Sequence, residues 1–332
     1  MKVLAGKMLA GLIRAVFMLA FTTATSAFAL GASSQLAQAN AALQAGEADK
    51  ALTLLNPLAQ PGGKPEAYNL RCRVEFTLQQ WERAANDCDQ AVKLDGQNSD
   101  DHMWLARVLG EKARRASFFS AYKLAKRLRS EFEEATRLNP RNADALADLG
   151  EYYCEAPGVV GGGIDKAEGV ASQLDKIDPI RAHQLRGRIA EQRKDYGTAE
   201  REYKQTLTAT SHPAFEWMTL ANFYSRRGRW TDMESAIHSG ESAVERDKRT
   251  SLALYIGASL LRSTNRDPAR AAKMLEEYLA SSAKSEDAPA FVAHTWLAQL
   301  KAQLGDPAAA SRERTAALTL AHDYKPALEL NP

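Results

Sequence analysis

The sequence predicts an all-α solenoid built from about eight consecutive pairs of helices. Similar segments recur along the chain, each carrying a small or apolar anchor residue near the start of a helix. The anchors follow one another at intervals of 32 to 44 residues: Ala51, Ala84, Leu128, Ala167, Ala199, Ala236, Ala271 and Ala310. Long runs that alternate β-branched and polar residues are absent from the sequence, so no sheet is expected.

The first 29 residues are typical of an export signal. Lys2, Lys7 and Arg14 supply positive charge, and an uncharged, largely apolar run then ends in the small-x-small pattern Ala27-Phe28-Ala29. We expect residues 1–29 to be a cleavable signal peptide and residues 30–332 to form the array. The alternative is an uncleaved anchor, because about 20 apolar residues can span a bilayer. Export predicts a periplasmic location if the source is a Gram-negative bacterium.

The composition favours a folded chain without a nucleic-acid partner. Of its 332 residues, 45% are hydrophobic and 25% are charged, which is neither a disordered nor a membrane-embedded composition. Removal of the signal leaves 40 basic and 41 acidic residues. This balance lacks the basic excess of a nucleic-acid-binding protein.

Each predicted repeat consists of two amphipathic helices with the 3.6-residue period. A small residue at the anchor lets the two helices approach closely, and larger residues fill the space between neighbouring pairs. One pair cannot cover its own apolar face, so the pairs must stack.

The spacing of aromatic and small residues resembles that of the tetratricopeptide repeat family. The matching positions are Trp217, Leu220-Ala221 and Tyr224; Gly187, Ala199 and Tyr203; and, with an insertion, Leu149-Gly150, Tyr153, Ala167 and Pro179. The resemblance covers nearly the whole mature chain. It implies a right-handed solenoid that binds a protein or peptide partner in its concave groove and needs no cofactor.

The sequence departs from the family pattern at several places. Repeat length varies, with insertions near residues 112–127 and 155–163. Arg71 and Arg186 stand where the family has leucine, and Pro57 falls inside the predicted second helix of the first repeat.

The resemblance also implies which residues line the groove, because the first helix of each pair faces it. Arginine and asparagine there suit an extended peptide, since they hold carboxylates and backbone amides. This mapping gives Asn69, Arg73, Arg107, Gln184, Arg188 and Asn222, together with Met103 and Met218. The alternative is an ordinary solvated groove, with binding elsewhere.

The glycine-rich segment "GVVGGGIDK" has the glycine spacing of a Walker A loop at Gly158 and Gly163. Ile164 and Asp165, however, replace the lysine and hydroxyl residue that hold phosphate and magnesium. A helix is predicted before the segment, where such a loop needs a strand. We therefore expect an expanded turn. Gly161, Gly162 and Gly163 are candidate partner contacts, because the insertion projects from the array.

Two cysteines take facing positions in the second repeat, according to the resemblance. A disulfide between Cys72 and Cys88 is geometrically plausible in an oxidising compartment. Two buried free thiols are the favoured interpretation, and Cys154 is expected to be unpaired.

The sequence contains no motif of catalysis or metal binding. Its six histidines never lie three or four residues apart, which excludes a helical metal pair. A nucleophile elbow and a cofactor loop are also missing, so we predict a binding protein rather than an enzyme.

The run from Lys112 to Arg129 contains seven basic residues and no acidic one. It predicts an amphipathic helix whose apolar stripe comprises Phe118, Ala121, Ala125, Leu128 and Phe132. We favour an apolar stripe that is buried in the repeat, with the basic face of the helix exposed to solvent. The alternative is a membrane-associated assembly factor of the cell envelope that touches anionic lipid through this helix or through an uncleaved N-terminus.

Overall fold

The computed structural model describes residues 33–331, which lie beyond the predicted signal peptide. Within this range the chain is helical and contains no strand. The helices are α1 (residues 33–45), α2 (Ala48–Leu55), α3 (Pro65–Thr77), α4 (Trp81–Leu94), α5 (Ser99–Arg115), α6 (Phe118–Leu138), α7 (Ala143–Glu155), α8 (Ile164–Leu174), α9 (Pro179–Gln192), α10 (Tyr196–Thr208), α11 (Ala214–Arg226), α12 (Trp230–Arg246), α13 (Leu252–Ser263), α14 (Pro268–Ala280), α15 (Ala290–Gln303), α16 (Pro307–Leu320) and α17 (Lys325–Leu328).

The helices are arranged as eight consecutive pairs, from α1–α2 to α15–α16, with the short α17 packed on α16. The first helices of several neighbouring pairs also contact each other. These contacts are α3 with α5, α5 with α7, α7 with α9, and α11 with α13. The first helices therefore form the inner layer of a curved array, and the second helices form the outer layer. This confirms the predicted solenoid of about eight helix pairs.

All eight anchor residues that the sequence analysis identified are buried in the structure. Glycines occur where helices cross most closely. A Cβ on Gly187 would lie 2.7 Å from the ring of Tyr203, and one on Gly150 would lie 2.3 Å from Leu185. Small residues thus set the approach of the helices, as the sequence pattern predicted.

One turn geometry connects the two helices in six of the eight pairs. One of the two residues after the first helix has a positive φ, and the N–H of the residue that follows it donates to the carbonyl five residues earlier at 2.8–2.9 Å. This is the bonding of a Schellman helix end, which favours glycine. The turn residues are Gly46, Gln79, Lys194, Gly228, Asn265 and Gly305.

The third and fourth pairs differ from the others in length and connection. Helices α5 and α6 have 17 and 21 residues and are joined through Ala116 and Ser117, which accounts for the long third repeat. The fourth pair is joined by the glycine-rich segment. In the first pair, α2 ends at Leu55, so Pro57 lies beyond the helix rather than inside it.

Cys72 and Cys88 form a disulfide between α3 and α4, with their sulfur atoms 2.02 Å apart. The favoured interpretation of two free thiols is therefore wrong: α3 and α4 bring the two Cα atoms to 5.4 Å, a separation that a disulfide spans. Cys154 is free and buried.

The array closes on itself, because its first and last repeats are in contact. Buried residues of α1 to α3 and of α10 to α16 belong to one continuous hydrophobic core. Gly46, between α1 and α2, lies so near the start of α15 that a Cβ on it would be 2.3 Å from the backbone nitrogen of Ala290. In an open solenoid each repeat contacts only its neighbours. Here the two ends stabilise each other.

Candidate functional site: the inner surface

The inner layer carries ion pairs that connect one first helix to the next. Arg107 on α5 binds Asp148 on α7, with its Nε 2.6 Å from Oδ2. Arg188 on α9 lies 3.3 Å from Glu151 on α7 and also pairs with Glu155. Although burial opposes its charge, the Asp148 carboxylate raises the pKa of Arg107. Two predicted groove arginines are thus paired inside the chain.

Arg73, another predicted contact, lies where the array closes. Its Nε donates to Oε2 of Glu286 at 2.9 Å, and Gln44 on α1 donates to Oε1 of the same carboxylate at 3.0 Å. Asn69 is buried and donates to Asp101 at 2.7 Å. Both side chains therefore hold the array together in this structure.

The two remaining predicted contacts have unused amide groups. Gln184 on α9 is half-buried and Asn222 on α11 is exposed. Neither amide has a hydrogen-bond partner among residues 33–331. Met103 and Met218 are buried. Contact of Gln184 and Asn222 with a partner stays a prediction.

A cavity of about 480 Å³ opens on the inner layer between α3, α5, α6 and α7. Apolar side chains, among them Phe76, Leu128 and Phe132, form part of its wall. Arg107 and Asp148 lie at its charged side. Gly110 is also part of the wall, and a Cβ at that position would meet no atom within 4 Å. The volume falls in the range that accommodates ligands or a few side chains of a peptide. The sequence pattern had indicated Arg107 but not the cavity.

The glycine-rich segment folds into a compact turn against α6 and α7. Its backbone donors are used internally: Gly161 donates to Gly158 at 2.9 Å, and Gly163 donates to Tyr153 at 2.9 Å. The carbonyl of Gly161 faces the Lys166 ammonium at 2.8 Å. A phosphate cradle needs the opposite polarity, with N–H groups directed outward. The geometry is that of the expanded turn, and contact of Gly161, Gly162 and Gly163 with a partner stays a prediction.

Most of the basic run around α6 is neutralised by acidic partners. Lys112 pairs with Glu82 at 2.7 Å, Arg114 and Arg115 pair with Glu111, and Arg127 pairs with Asp89. The predicted apolar stripe is wrong at one end: Leu128 and Phe132 are buried, but Phe118 is 79% exposed. α6 starts at Phe118, directly after the two-residue connection from α5, and its first three residues are exposed. Across residues 33–331, no helix is both long enough and apolar enough to span a membrane.

Asp49, His322 and Asp323 come together at the closure between α2 and the end of α16. Their potential metal-ligating atoms lie within 4.8 Å of one another. Nδ1 of His322 lies 2.8 Å from Asp49, and Gln80 donates to Asp323 at 2.7 Å. These contacts join the first two repeats to the last. Each of the three side chains therefore has a hydrogen-bond partner within the chain.

The helix pairs, their recurrent turn and the small residues at their crossings carry the repeat pattern that the sequence showed. The chain is an all-α solenoid of helix pairs. It is similar to several solved structures of tetratricopeptide-repeat proteins, at low sequence identity. No family model matches the sequence, and no curated protein matches it.

Three of the similar structures illustrate how far this likeness extends. A thermophilic tetratricopeptide protein of Thermus thermophilus is 19% identical, with 58% of this chain and 98% of that chain covered and a TM-score of 0.49. One from Parabacteroides merdae is 13% identical, covering 82% and 98%, with a TM-score of 0.44. The C-terminal part of a Cytophaga hutchinsonii protein is 15% identical, covering 76% and 97%, with a TM-score of 0.41. These likenesses concern the fold alone, and what this array binds follows from its own surface.

Proposed function

We propose that this chain is an exported scaffold that binds an extended segment of a partner protein along the inner surface of its closed array. The observation that carries the proposal is the cavity of about 480 Å³ between α3, α5, α6 and α7. Its apolar wall suits buried side chains, and its charged side suits polar groups of the same segment. Export rests on the signal-like residues 1–29.

The inner surface is largely preformed. Its arginines are held by carboxylates of neighbouring helices, so binding orders few additional side chains. Contact between the first and last repeats bounds this surface. That arrangement favours an extended segment of chain over a folded domain.

Filling the cavity tests the proposal. A Cβ on Gly110 meets no atom within 4 Å, so Gly110→Leu adds a side chain to the cavity wall with no obstruction at its Cβ. Gly169→Leu, on the outer helix α8, is the matched control, since a Cβ there is equally unobstructed. Both changes replace a helical glycine and should favour the helix by up to about 1 kcal/mol.

The assay is crosslinking in intact cells, followed by identification of the captured protein. We expect wild type and Gly169→Leu to capture the same partner and Gly110→Leu to lose it. Equal capture by all three chains would place the binding surface outside this cavity. Capture of no protein by wild type would refute the scaffold function.

A second candidate function is a membrane-associated assembly factor of the cell envelope. It is favoured by Phe118 and Phe119, which are 79% and 80% exposed beside the exposed Lys123 and Lys126. Aromatic rings and lysines together suit the surface of an anionic bilayer. Sedimentation with vesicles containing phosphatidylglycerol, reversed by salt and lost in a Phe118→Ser, Phe119→Ser chain, would support it. No sedimentation would refute it for this helix.

A further inference from the structure

A tight turn after α16 carries two potential metal ligands side by side. The N–H of Tyr324 donates to the carbonyl of Ala321 at 3.1 Å, which closes a turn of four residues. Both residues are buried, so the two ends of the turn are fixed in the core. His322 and Asp323 occupy its central positions. The turn therefore presents an imidazole and a carboxylate at the point where the array closes.

Asp49, in the first turn of α2, faces this turn from the other end of the chain. The backbone N–H of His322 donates to Oδ2 of Asp49 at 2.9 Å, and Nδ1 of the imidazole lies 2.8 Å from Oδ1. One ligand atom from each of Asp49, His322 and Asp323 lies within 4.8 Å of the other two. Asp49 and His322 are 273 positions apart in the sequence, so no ligand spacing reveals the cluster.

One carboxylate oxygen of this cluster has no hydrogen-bond donor. Oδ2 of Asp323 accepts from the side-chain amide of Gln80 at 2.7 Å, and Arg83 donates to the oxygen of that amide at 3.0 Å. Oδ1 of Asp323 is shielded from solvent and accepts no hydrogen bond from residues 33–331. Such an oxygen is costly for the fold unless it is paired. Carboxylates that bind metals are commonly oriented as Asp323 is, by a hydrogen bond from a neighbouring side chain.

The charge and chemistry of the cluster suit a divalent cation. Within the described part of the chain, neither Asp49 nor Asp323 lies within ion-pair distance of a lysine or an arginine. Two carboxylates and a neutral imidazole carry two negative charges, which a divalent cation balances. Oxygen ligands alone would suit Mg²⁺ or Ca²⁺, whereas an imidazole nitrogen favours Zn²⁺ and its neighbours in the first transition row.

We propose that Asp49, His322 and Asp323 bind one divalent transition-metal cation, and that this cation joins the first repeat to the last. The ligand atoms of a tetrahedral Zn²⁺ lie about 3.4 Å from one another, given metal–ligand distances of about 2.1 Å. The three ligand atoms must therefore move by about 1 Å, which the 74% exposed side chain of His322 allows. Water completes the coordination from the exposed side.

The proposed metal site goes beyond the proposed binding function and does not depend on it. None of its three ligands lines the cavity between α3, α5, α6 and α7. The two proposals can therefore fail separately.

Titration of the full chain with Zn²⁺ tests the proposal. The protein carries no polyhistidine tag, and bound metal is first removed with a chelator. Zn²⁺ affinity and stoichiometry are measured in competition with a fluorescent chelator at about pH 8, since a ligating imidazole must be neutral. Mg²⁺ is titrated in parallel. Hydrogen exchange is then compared with and without Zn²⁺.

Two variants each remove one ligand. Asp49→Asn removes a carboxylate without a change of shape, and His322→Asn leaves an amide that can still donate to Asp49. His238→Asn is the matched control, because His238 lies on the outer helix α12 and its side chain is 77% exposed, close to the 74% of His322. Melting of each variant in chelator shows whether it folds without metal.

We expect wild type and His238→Asn to bind one Zn²⁺ per chain with equal affinity, and to bind Mg²⁺ much more weakly. Asp49→Asn and His322→Asn should lose at least about 10- to 100-fold in Zn²⁺ affinity, since even loss of a group that orients a ligand has an effect of that size. Zn²⁺ should slow hydrogen exchange in α1, α2 and α16 of wild type but not of these two variants.

Equal Zn²⁺ affinity in wild type and in the folded ligand variants would place the cation elsewhere and overturn the proposal. Absence of saturable Zn²⁺ binding, or Mg²⁺ binding as tight as that of Zn²⁺, would also overturn it. Unchanged exchange in α1 and α2 of wild type on addition of Zn²⁺ would contradict the joining of the two ends. These measurements on wild type decide the proposal even where a substitution unfolds the chain.

Discussion

Removal of the Glu286 carboxylate should weaken both ends of the array at once. Glu286 lies just before α15, and it accepts from Arg73 on α3 and from Gln44 on α1. Glu286→Ala therefore removes contacts to two repeats that are distant in sequence. In an open solenoid such a change would affect only the last repeats.

The magnitude follows from the burial of the pair. The side chains of Arg73 and Glu286 are 19% and 11% exposed. Breaking a buried pair from one side costs about 3–5 kcal/mol. The residual exposure, and the Trp104 ring 5.3 Å from the guanidinium, reduce this value. We therefore expect a loss of about 2–3 kcal/mol in the free energy of unfolding.

A matched surface pair provides the control. Arg137 and Glu134 are 63% and 33% exposed, so Glu134→Ala should cost less than about 1 kcal/mol. The double substitution Arg73→Met, Glu286→Leu should recover most of the stability, since no charge is then left unpaired.

Urea unfolding followed by tryptophan fluorescence gives the free energies, and hydrogen exchange locates the change. Glu286→Ala should increase exchange in α1 and α2 as well as in α15 and α16. A loss below about 0.5 kcal/mol, or unchanged exchange in α1 and α2, would refute the reasoning, since the buried pair would then contribute no more than a surface pair.

Three further predictions concern the fold. Gly187→Ala should cost about 1–3 kcal/mol in urea unfolding, because its Cβ would meet the fully buried Tyr203 ring at 2.7 Å; an unchanged midpoint would contradict this packing. Reduction of the Cys72–Cys88 disulfide, which joins residues 16 apart, should lower stability by about 3 kcal/mol, and thiol counting in denaturant should find Cys154 alone; three thiols in protein purified without reductant would contradict it. Burial and the neighbouring Asp87 raise the pKa of Glu75 to about 8, so its contribution to stability is present at low pH and is lost as pH rises toward 8. Glu75→Gln should flatten the pH dependence of the unfolding free energy between about pH 5 and 8. Parallel curves of unfolding free energy against pH for wild type and variant would contradict the raised pKa of Glu75.

The helix pairs could be predicted from the sequence because their determinants are local. Period, turn residues and small residues such as Gly187 and Ala199 lie within one repeat. The same reasoning placed Phe118 in a buried stripe, since the period shows which residues share a helix face but not which part of that face a neighbour covers. The first three residues of α6, Phe118 among them, are exposed.

Closure of the array could not be predicted, because it depends on small rotations summed over eight repeats. Arg73 was assigned to the groove on its position in one repeat, yet its partner Glu286 is 213 residues away. The pairing of Arg107 with Asp148 depends likewise on the next helix pair. Gln184 and Asn222 were assigned to the groove for the same reason as Arg73. Only the structure shows that Arg73 binds a carboxylate of this chain.

Closure of the array bounds the proposed binding surface, so the most direct measurement concerns the distance between its ends. Asp49 on α2 and His322 after α16 are in contact, with 2.8 Å between Oδ1 and Nδ1. In a full-length Cys154→Ser chain carrying Asp49→Cys and His322→Cys, mild oxidation should form an intramolecular disulfide in nearly all molecules, seen as faster migration on a non-reducing gel. A chain that forms only intermolecular disulfides, or none, would show that the ends are apart and would contradict the closed array.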